Sequence, residues 1–456
     1  MPHTNSPDPE ADRDVYRTLD LALRVGELLL SNGAGSADVT ASMLAVTNAC
    51  GLRAVTPNVT FTDLSLNYHP GGERFSILQT RSVTHREIDY GDLTAVDALV
   101  RDLVAGRTTR DAARKRVVQI ASTGHGRPRW TVTLGYGVMG AGVALLLGGM
   151  SLVVVFAFLA AAGIDRVQRA MSVRRYPFFY QQVAGGLLAS LIGVAVAATD
   201  LSISPARVVT VGVFMLLAGI GTVGAAQDAL TGFPLTANAR LLEALLATAG
   251  IIAGVSGGIA IGDALGVEIA SMRPRGFAPA PPGLVLFGAG LAAAAFAYAT
   301  FTPLRALLPT AVLGAIGAGV ADLVRLGELG TTWSTAVAAV VIGGLSFVAA
   351  TRVRVPSLAL LVPALLPLLP GLALYKGLVD LSLGDQGRSL VTAAATAIAL
   401  ASGAILGQYI VQPLRRTNRR VEQRLAGPRL VGPLRMAARP VRRAAARART
   451  GRQRPD

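Results

Sequence analysis

The feature that most constrains this chain is a run of 34 residues without a charged side chain, residues 131–164. As one helix this run would be about 51 Å long, whereas the hydrocarbon core of a bilayer is about 30 Å thick. It must therefore fold back, and Gly148-Gly149-Met150-Ser151 is the expected turn. Further uncharged runs bring the expected number of membrane spans to ten: 176–199, 208–227, 244–262, 283–304, 306–321, 331–351, 355–375 and 389–414.

The composition agrees with a membrane protein. Only 15% of the residues are charged, whereas a soluble domain carries about 25%. The 51 glycines suit helices that pack closely in lipid. The single cysteine, Cys50, excludes an intramolecular disulfide and a cysteine-rich metal site.

The distribution of basic residues predicts the orientation. With ten spans and the N-terminal part inside, the inner segments from Arg107 to Arg354 hold fifteen Arg or Lys residues, and the outer segments hold five Arg residues. The N-terminal sequence MPHTNSPDPEADRD lacks the features of a secretory signal. We therefore expect both termini to be cytoplasmic, in the cytoplasmic membrane of a bacterium. The net charge of +16 fits a membrane surface better than nucleic acid, because the basic tail has no aromatic residues for stacking and suits anionic lipid headgroups.

The part of the chain before the first span is predicted to be an α+β domain. Apolar residues at helical spacing end at Asn32-Gly33, and a second helix with Ser36 as its N-cap ends at Cys50-Gly51. Strands are expected within 53–67 and 74–83, and helices over 93–105 and 109–121. The expected organisation is a disordered N-terminus (1–14), a cytoplasmic α+β domain (15–128), a first membrane repeat (129–264), a Pro-rich extracytoplasmic linker (265–282), a second repeat (283–412) and a disordered basic tail (413–456).

The two membrane halves share a pattern. The second and seventh spans each close on an aspartate, Asp165 and Asp322. The fourth and ninth spans each contain helix-weakening residues shortly before an ionisable one, Asp228 or Lys376. The weakening residues are Gly219, Gly221 and Gly224 in the fourth span and Pro363, Pro367, Pro370 and Gly371 in the ninth.

This pattern predicts a polytopic α-helical membrane protein with two inverted five-helix repeats, since five spans reverse the polarity of the second half. Inverted repeats with matching interrupted helices are a recurrent transporter design, in which the interruptions form the binding site. The alternative is a membrane scaffold or enzyme whose helices are interrupted only for packing.

Several stretches also resemble the threonine/serine exporter family, ThrE. In the N-terminal part these are LALRVGELLLSNGAGSADVTASMLAVTNACGL, VTPNVTFTDLSLNY and DYGDLTAVDALVRDLVAG. In the membrane part they are GIGTVGAAQDALTGFPLTANARLLEALLATAG and VPALLPLLPGLALYKGL. The resemblance implies proton-driven export of threonine and serine, and related two-gene versions imply small dicarboxylates as an alternative substrate. A membrane-anchored enzyme would need an active-site cluster in residues 15–120, and the sequence shows none.

Individual residues of the expected path have two interpretations each. Asp228 is either a functional buried carboxylate or an interfacial residue that stays in water. Arg240 and Glu243 either border a vestibule with Asp228 or form an ion pair with each other at a helix start. Lys376 either attracts a substrate carboxylate or extends to the outer surface.

The remaining expectations concern selectivity and cofactors. Thr222 and Tyr375 are the candidates for recognising a substrate hydroxyl, while Asp165, Asp322 and Asp263 are expected to be helix-end residues. No metal-ligand spacing, no Walker A sequence and no GxGxxG following a strand is found, so neither a metal nor another cofactor is expected. The expected partners are a small amino acid, protons and lipid, without nucleic acid, and the sequence is compatible with a homo-oligomer.

Overall fold

The computed structural model describes residues 9–71, 75–84, 86–124, 126–149, 152–199, 204–218, 221–267, 280–382 and 388–412. Expectations about 1–8, about 268–279 in the linker, about Met150-Ser151, Gly219 and the tail from residue 413 lie outside these ranges. The described chain is mostly helical.

The described residues of the N-terminal part form four helices, α1 (Pro9–Ser31), α2 (Ser36–Ala49), α3 (Tyr90–Val104) and α4 (Arg110–Thr123), and three strands, β1 (Val55–Val59), β2 (Asp63–Tyr68) and β3 (Ile77–Ser82). The strands form an antiparallel sheet in the order β1-β2-β3. The predicted strands and helices are therefore present. One expectation is wrong: residues 9–14 belong to α1 rather than to a disordered N-terminus.

The sheet packs on α1 and α2 through one face. Leu64 and Leu66 alternate along β2 and are fully buried, as a strand with one buried face requires. Gly26 in α1 lies against Met43 of α2 and against Leu64, so these three elements share one apolar core.

Within the ranges that the structure describes, the membrane part contains twelve helices. They are α5 (Arg129–Leu146), α6 (Leu152–Val173), α7 (Phe178–Ala197), α8 (Pro205–Ala218), α9 (Thr222–Leu230), α10 (Pro234–Ala264), α11 (Pro282–Ala299), α12 (Leu304–Leu326), α13 (Thr331–Val353), α14 (Leu358–Leu365), α15 (Gly371–Ser382) and α16 (Arg388–Val411). The expected fold-back of residues 131–164 is confirmed, because α5 ends at Leu146 and packs against α6, with Gly140 facing the carbonyl of Ala157.

Fewer helices than ten are long and apolar enough to cross a membrane by themselves. Among the described residues six meet that condition, α7, α10, α11, α12, α13 and α16. A seventh is obtained if the bent pair Leu358–Leu368 and Gly371–Gly377, which turns by 47°, counts as one span. The chain is therefore a multi-pass helical membrane protein.

The two spans expected to be interrupted correspond to helix pairs. Residues 355–375, the expected ninth span, form α14, a 3-10 turn at Leu366–Leu368 and the start of α15, because proline removes backbone donors and crowds the preceding turn. The expected fourth span includes parts of α8 and α9, and Gly221 directly precedes α9. The turn before α15 thus lies where the prolines predict it.

Candidate functional site

The Asp228 carboxylate is fully buried near the end of α9, where it meets the start of α2. The backbone N–H of Ser36 donates to its Oδ1 at 2.7 Å, and the Ser36 hydroxyl donates to its Oδ2 at 3.2 Å. The Arg240 guanidinium, only 10% exposed, lies 3.1 Å from Oδ2. A carboxylate at a helix N-terminus is stabilised by the free N–H groups and by the helix dipole.

Arg240 closes a ring of contacts around this carboxylate. Besides its ion pair with Asp228, its Nη2 donates to the carbonyl of Ala34 at 2.8 Å. Gly224, one turn before Asp228, leaves the space that the guanidinium needs, since a Cβ there would overlap it. The loop before α2 and the helix α10 therefore hold the end of α9 between them.

A second buried contact lies beside the first. The Gln227 amide donates to Oδ2 of Asp38 at 3.2 Å, and both side chains are almost fully buried. Gly35 makes this approach possible, because a Cβ at that position would lie 2.7 Å from Cδ of Gln227. Gln227 and Asp228 thus contact the first turn of α2 at two points.

Arg86, in the loop between β3 and α3, approaches the same cluster. It donates to the carbonyl of Phe61 and stacks on the Phe61 ring at 3.2 Å from the centroid. Burial lowers the pKa of Arg86 to about 10, while the charges of Glu243 and Asp228 oppose this shift and that of Arg240 adds to it. Charged groups from the N-terminal part and from α9 and α10 therefore influence one another here.

The structure decides between the alternative interpretations of Asp228 and Arg240, and it corrects two expectations about helix starts. Asp228 does not stay in water, because the N-terminal part covers it. Arg240 pairs with Asp228 and not with Glu243, which is exposed, and neither residue starts a helix, because α10 begins at Pro234. Ser36 is not an N-cap: Gly35 holds that position, and the serine hydroxyl is bonded to Asp228.

The interruption of the ninth span lies against α8. A Cβ on Gly371 would be 2.3 to 2.8 Å from the Phe214 ring, so α15 begins in direct contact with the helix that precedes the other interruption. Pro367 and Tyr375 are buried and Pro370 is half-buried. Lys376 is exposed, and within the described ranges it forms no ion pair, so the structure does not bring it into the cluster around Asp228.

The remaining candidates are found at helix starts, at a helix–helix contact and at the surface. Gly221 is exposed at the start of α9, and the side chain of Thr222 is not among those described. Asp165 accepts a hydrogen bond from the Thr133 hydroxyl at 2.6 Å, whereas Asp322 pairs with Arg325 at the surface and Asp263 is exposed. Across the part of the chain that the structure describes, no three His, Cys, Asp or Glu side chains are placed to hold a metal ion.

Sequence reasoning missed the partners of Asp228. Ser36, Asp38 and Ala34 belong to the segment GAGSAD, whose glycines precede a helix start, and such a segment is a common place for an anion to bind. That signal was available, but it did not identify which anion. Gln227 directly precedes Asp228 and carried no signal of its own.

Comparisons with known proteins cover almost the whole chain. Residues 20–262 match the sequence model of ThrE, a threonine/serine exporter family, and residues 285–410 match a second model described as threonine/serine exporter, ThrE. The chain is 33% identical over 438 residues to a protein of Mycobacterium tuberculosis named "Probable threonine/serine exporter". The aligned region covers 91% of this chain and 81% of the relative. It is also 33% identical over 420 residues to the "Threonine/serine exporter" of Corynebacterium glutamicum, which covers 89% of this chain and 84% of the relative. No solved structure matches.

Proposed function

The chain belongs to the threonine/serine exporter family, and from this membership we propose that it carries threonine and serine out of the cell across the cytoplasmic membrane. The observation that carries the proposal is that the family match extends over the N-terminal part and both membrane halves. The protein is thus a multi-pass membrane transporter and not an enzyme.

We propose that the proton gradient drives export. Asp228 supports this, because a carboxylate can take up and release a proton and this one lies in α9, the second helix of an interrupted pair. An uncoupler should then stop efflux.

Ten spans in two inverted repeats are the proposed architecture, with α8–α9 and α14–α15 each forming one span. The contacts of α5 with α11 support it. A Cβ on Gly135 would lie 3.3 Å from Cβ of Ala299, and one on Gly288 would lie 2.6 Å from the backbone N of Leu146. Gly288 and Ala299 each follow their counterpart, Gly135 and Leu146, by the same 153 residues. These two helices run antiparallel, as an inverted repeat requires.

The contacts of α7 with α10 and of α13 with α16 support the same architecture. A Cβ on Gly250 would lie 2.7 Å from the carbonyl oxygen of Phe179, and a Cβ on Gly403 would lie 2.6 Å from that of Ala336. Gly403 follows Gly250 by 153 residues, and Ala336 follows Phe179 by 157. Both pairs also run parallel, which fits the third and fifth spans of each half.

The substrate path is proposed to run between the two interruptions. An interrupted helix frees N–H donors at one half and carbonyl acceptors at the other, and an amino acid zwitterion needs both. The contact of Gly371 with Phe214 supports this placement, since it joins the two interrupted spans. The residues assigned to the path are Gly221, Thr222, Gly224, Asp228, Arg240, Glu243, Pro367, Pro370, Gly371, Tyr375 and Lys376.

The N-terminal part is proposed to be a cytoplasmic domain, with both termini inside and the arginine-rich tail on anionic lipid. The excess of basic residues on the expected inner segments supports this orientation. The same proposal allows the protein to assemble into a homo-oligomer.

The test is efflux from proteoliposomes or cells loaded with labelled threonine, serine or a small dicarboxylate. We expect threonine and serine to leave faster than from protein-free controls, and an uncoupler to remove the difference. Efflux of the dicarboxylate alone would refute the substrate assignment, and efflux insensitive to the uncoupler would refute proton coupling.

A further inference from the structure

The contact between α2 and α9 joins residues that are 192 positions apart and is closed to solvent. Ser36, Asp38 and Asp228 are 0% exposed, and Gln227 is 1% exposed. Separating such groups leaves charges without partners unless water takes the place of the lost partners. A partly opened contact is therefore unfavourable, and the contact is either fully formed or fully broken. That property is characteristic of a switch between two states.

The helix α10 places this contact toward one end of the membrane part. Gly250 packs at the level of Phe179, near the start of α7. Arg240, which pairs with Asp228, precedes Gly250 by ten residues, or about 15 Å along the helix. In the proposed orientation α7 begins at the cytoplasmic side, so the pair lies beyond the cytoplasmic end of α7.

The corresponding end of the second half is arranged differently. Near the end of α15, Asp380 accepts a hydrogen bond at 3.0 Å from Ser389, which belongs to α16 of the same half. Asp228, in contrast, is bonded to a segment outside both membrane halves. The N-terminal part therefore adds to one side of the path a contact that the repeat itself does not supply.

We propose that this contact is a latch: the start of α2 closes the cytoplasmic side of the substrate path by holding Asp228, and each transport cycle opens it. The inference rests on the proposed function and adds a role for the N-terminal part. Alternating access needs a cytoplasmic side that opens to load substrate and closes while substrate leaves on the other side.

One detail indicates that the latch can open. The Gln227 Oε1 atom is buried without a hydrogen-bond partner among the described residues. A buried acceptor without a donor destabilises the closed state, because it loses its hydrogen bond to water without replacement. The closed contact is therefore strong at Asp228 and incomplete beside it.

The first experiment locks the latch. In a Cys50→Ser background, Gly35→Cys and Gln227→Cys are combined, because a Cβ on Gly35 lies within 3 Å of the Gln227 side chain that the second change shortens. Oxidation should stop threonine efflux and a reductant should restore it, while each single cysteine variant remains insensitive to oxidation. Efflux at the unlocked rate after complete disulfide formation would overturn the proposal.

The second experiment loosens the latch without a cross-link. Ser36→Ala removes one hydrogen bond to a buried charge, which favours opening about ten- to hundredfold. In the same Cys50→Ser background, Thr231→Cys, at the 4% exposed C-cap of α9, reports opening through its reaction with an impermeant maleimide in inside-out vesicles. We expect faster labelling and a lower apparent KM for threonine at the cytoplasmic face, because more of the protein is ready to bind.

Ser42→Ala is the matched control, because Ser42 lies on the same helix and is 2% exposed. It should leave both the labelling rate and the KM unchanged. Equal labelling of the Ser36→Ala and Ser42→Ala variants would overturn the proposal, and so would faster labelling with an unaltered KM. If the unmodified protein moved neither threonine nor serine, the proposed function would fail, while the labelling rates would still report whether Ser36 closes this contact.

Discussion

Replacing Gly250 with alanine tests the close packing of α7 on α10. The new Cβ would lie 2.7 Å from the carbonyl oxygen of Phe179, which is 0.7 Å less than the 3.4 Å at which ordinary contact begins. Because that oxygen belongs to the backbone, it cannot rotate away, and the two helices must move apart. Overpacking of this kind costs about 1–3 kcal/mol.

Helix propensity works in the opposite direction and has to be removed from the comparison. Alanine favours a helix over glycine by about 1 kcal/mol. Gly257→Ala provides the control, because Gly257 lies on the same helix and a Cβ there meets nothing within 4 Å. The difference between the two variants isolates the packing effect, which should make Gly250→Ala less stable than Gly257→Ala by about 1–3 kcal/mol.

The assay is the free energy of reversible unfolding in mixed micelles, measured by titration with a denaturing detergent. Gly403→Ala belongs in the same series, because its Cβ would lie 2.6 Å from the carbonyl oxygen of Ala336 in the second half. It should lose as much stability as Gly250→Ala. Equal stability of the Gly250 and Gly257 variants would refute the packing argument, and an effect confined to one half would contradict the repeat.

Three other outcomes are expected. Asp228→Asn should abolish or uncouple efflux while the protein stays in the membrane, whereas Asp263→Asn, at an exposed position, should have a mild effect; wild-type rates in both would place the path elsewhere. In a background without Cys50, a cysteine at Ser204 should react with an impermeant reagent from outside and one at Ser172 should not, and the reverse pattern would overturn the orientation. Burial raises the pKa of the Cys50 thiol, so its alkylation in the folded protein should be slower than that of a free thiol at pH 8 and should accelerate at higher pH. Because the folded state favours the neutral thiol, the contribution of Cys50 to stability should decline as the pH rises from the unfolded pKa of the thiol to its higher folded pKa.

Local features of the chain could be predicted from the sequence because their causes are local. Pro367, Pro370 and Gly371 interrupt the ninth span whatever surrounds them, since proline removes a backbone donor. The turn after α5 follows from a charge-free run too long for one crossing. The expected start of α10 at Arg240 is wrong, because charged residues mark where the hydrocarbon region ends and not where a helix ends. The helix continues beyond these charges to Pro234.

The site could be predicted only in part because its partners are remote in the chain. Asp228 stands out as a carboxylate next to helix-weakening glycines, and its burial is one of the two interpretations that the sequence leaves open. Its hydrogen bonds to Ser36 could not, because no periodicity links a helix start to a residue 192 positions later. Lys376 has the same place in the second half as Asp228 has in the first, but a repeat predicts equivalent positions and not contact between them.

The glycine contacts between α7 and α10, and between α13 and α16, have a mechanical consequence. Helices whose backbones are in contact cannot slide past each other without a clash, so each pair should move as one rigid body. By contrast, α9 and α15 are short helices of nine and twelve residues, and the 3-10 turn at Leu366–Leu368 interrupts the helical hydrogen bonds before α15. Displacement during a transport cycle should therefore concentrate in α9 and α15. These short helices would tilt against the two rigid helix pairs, which stay fixed.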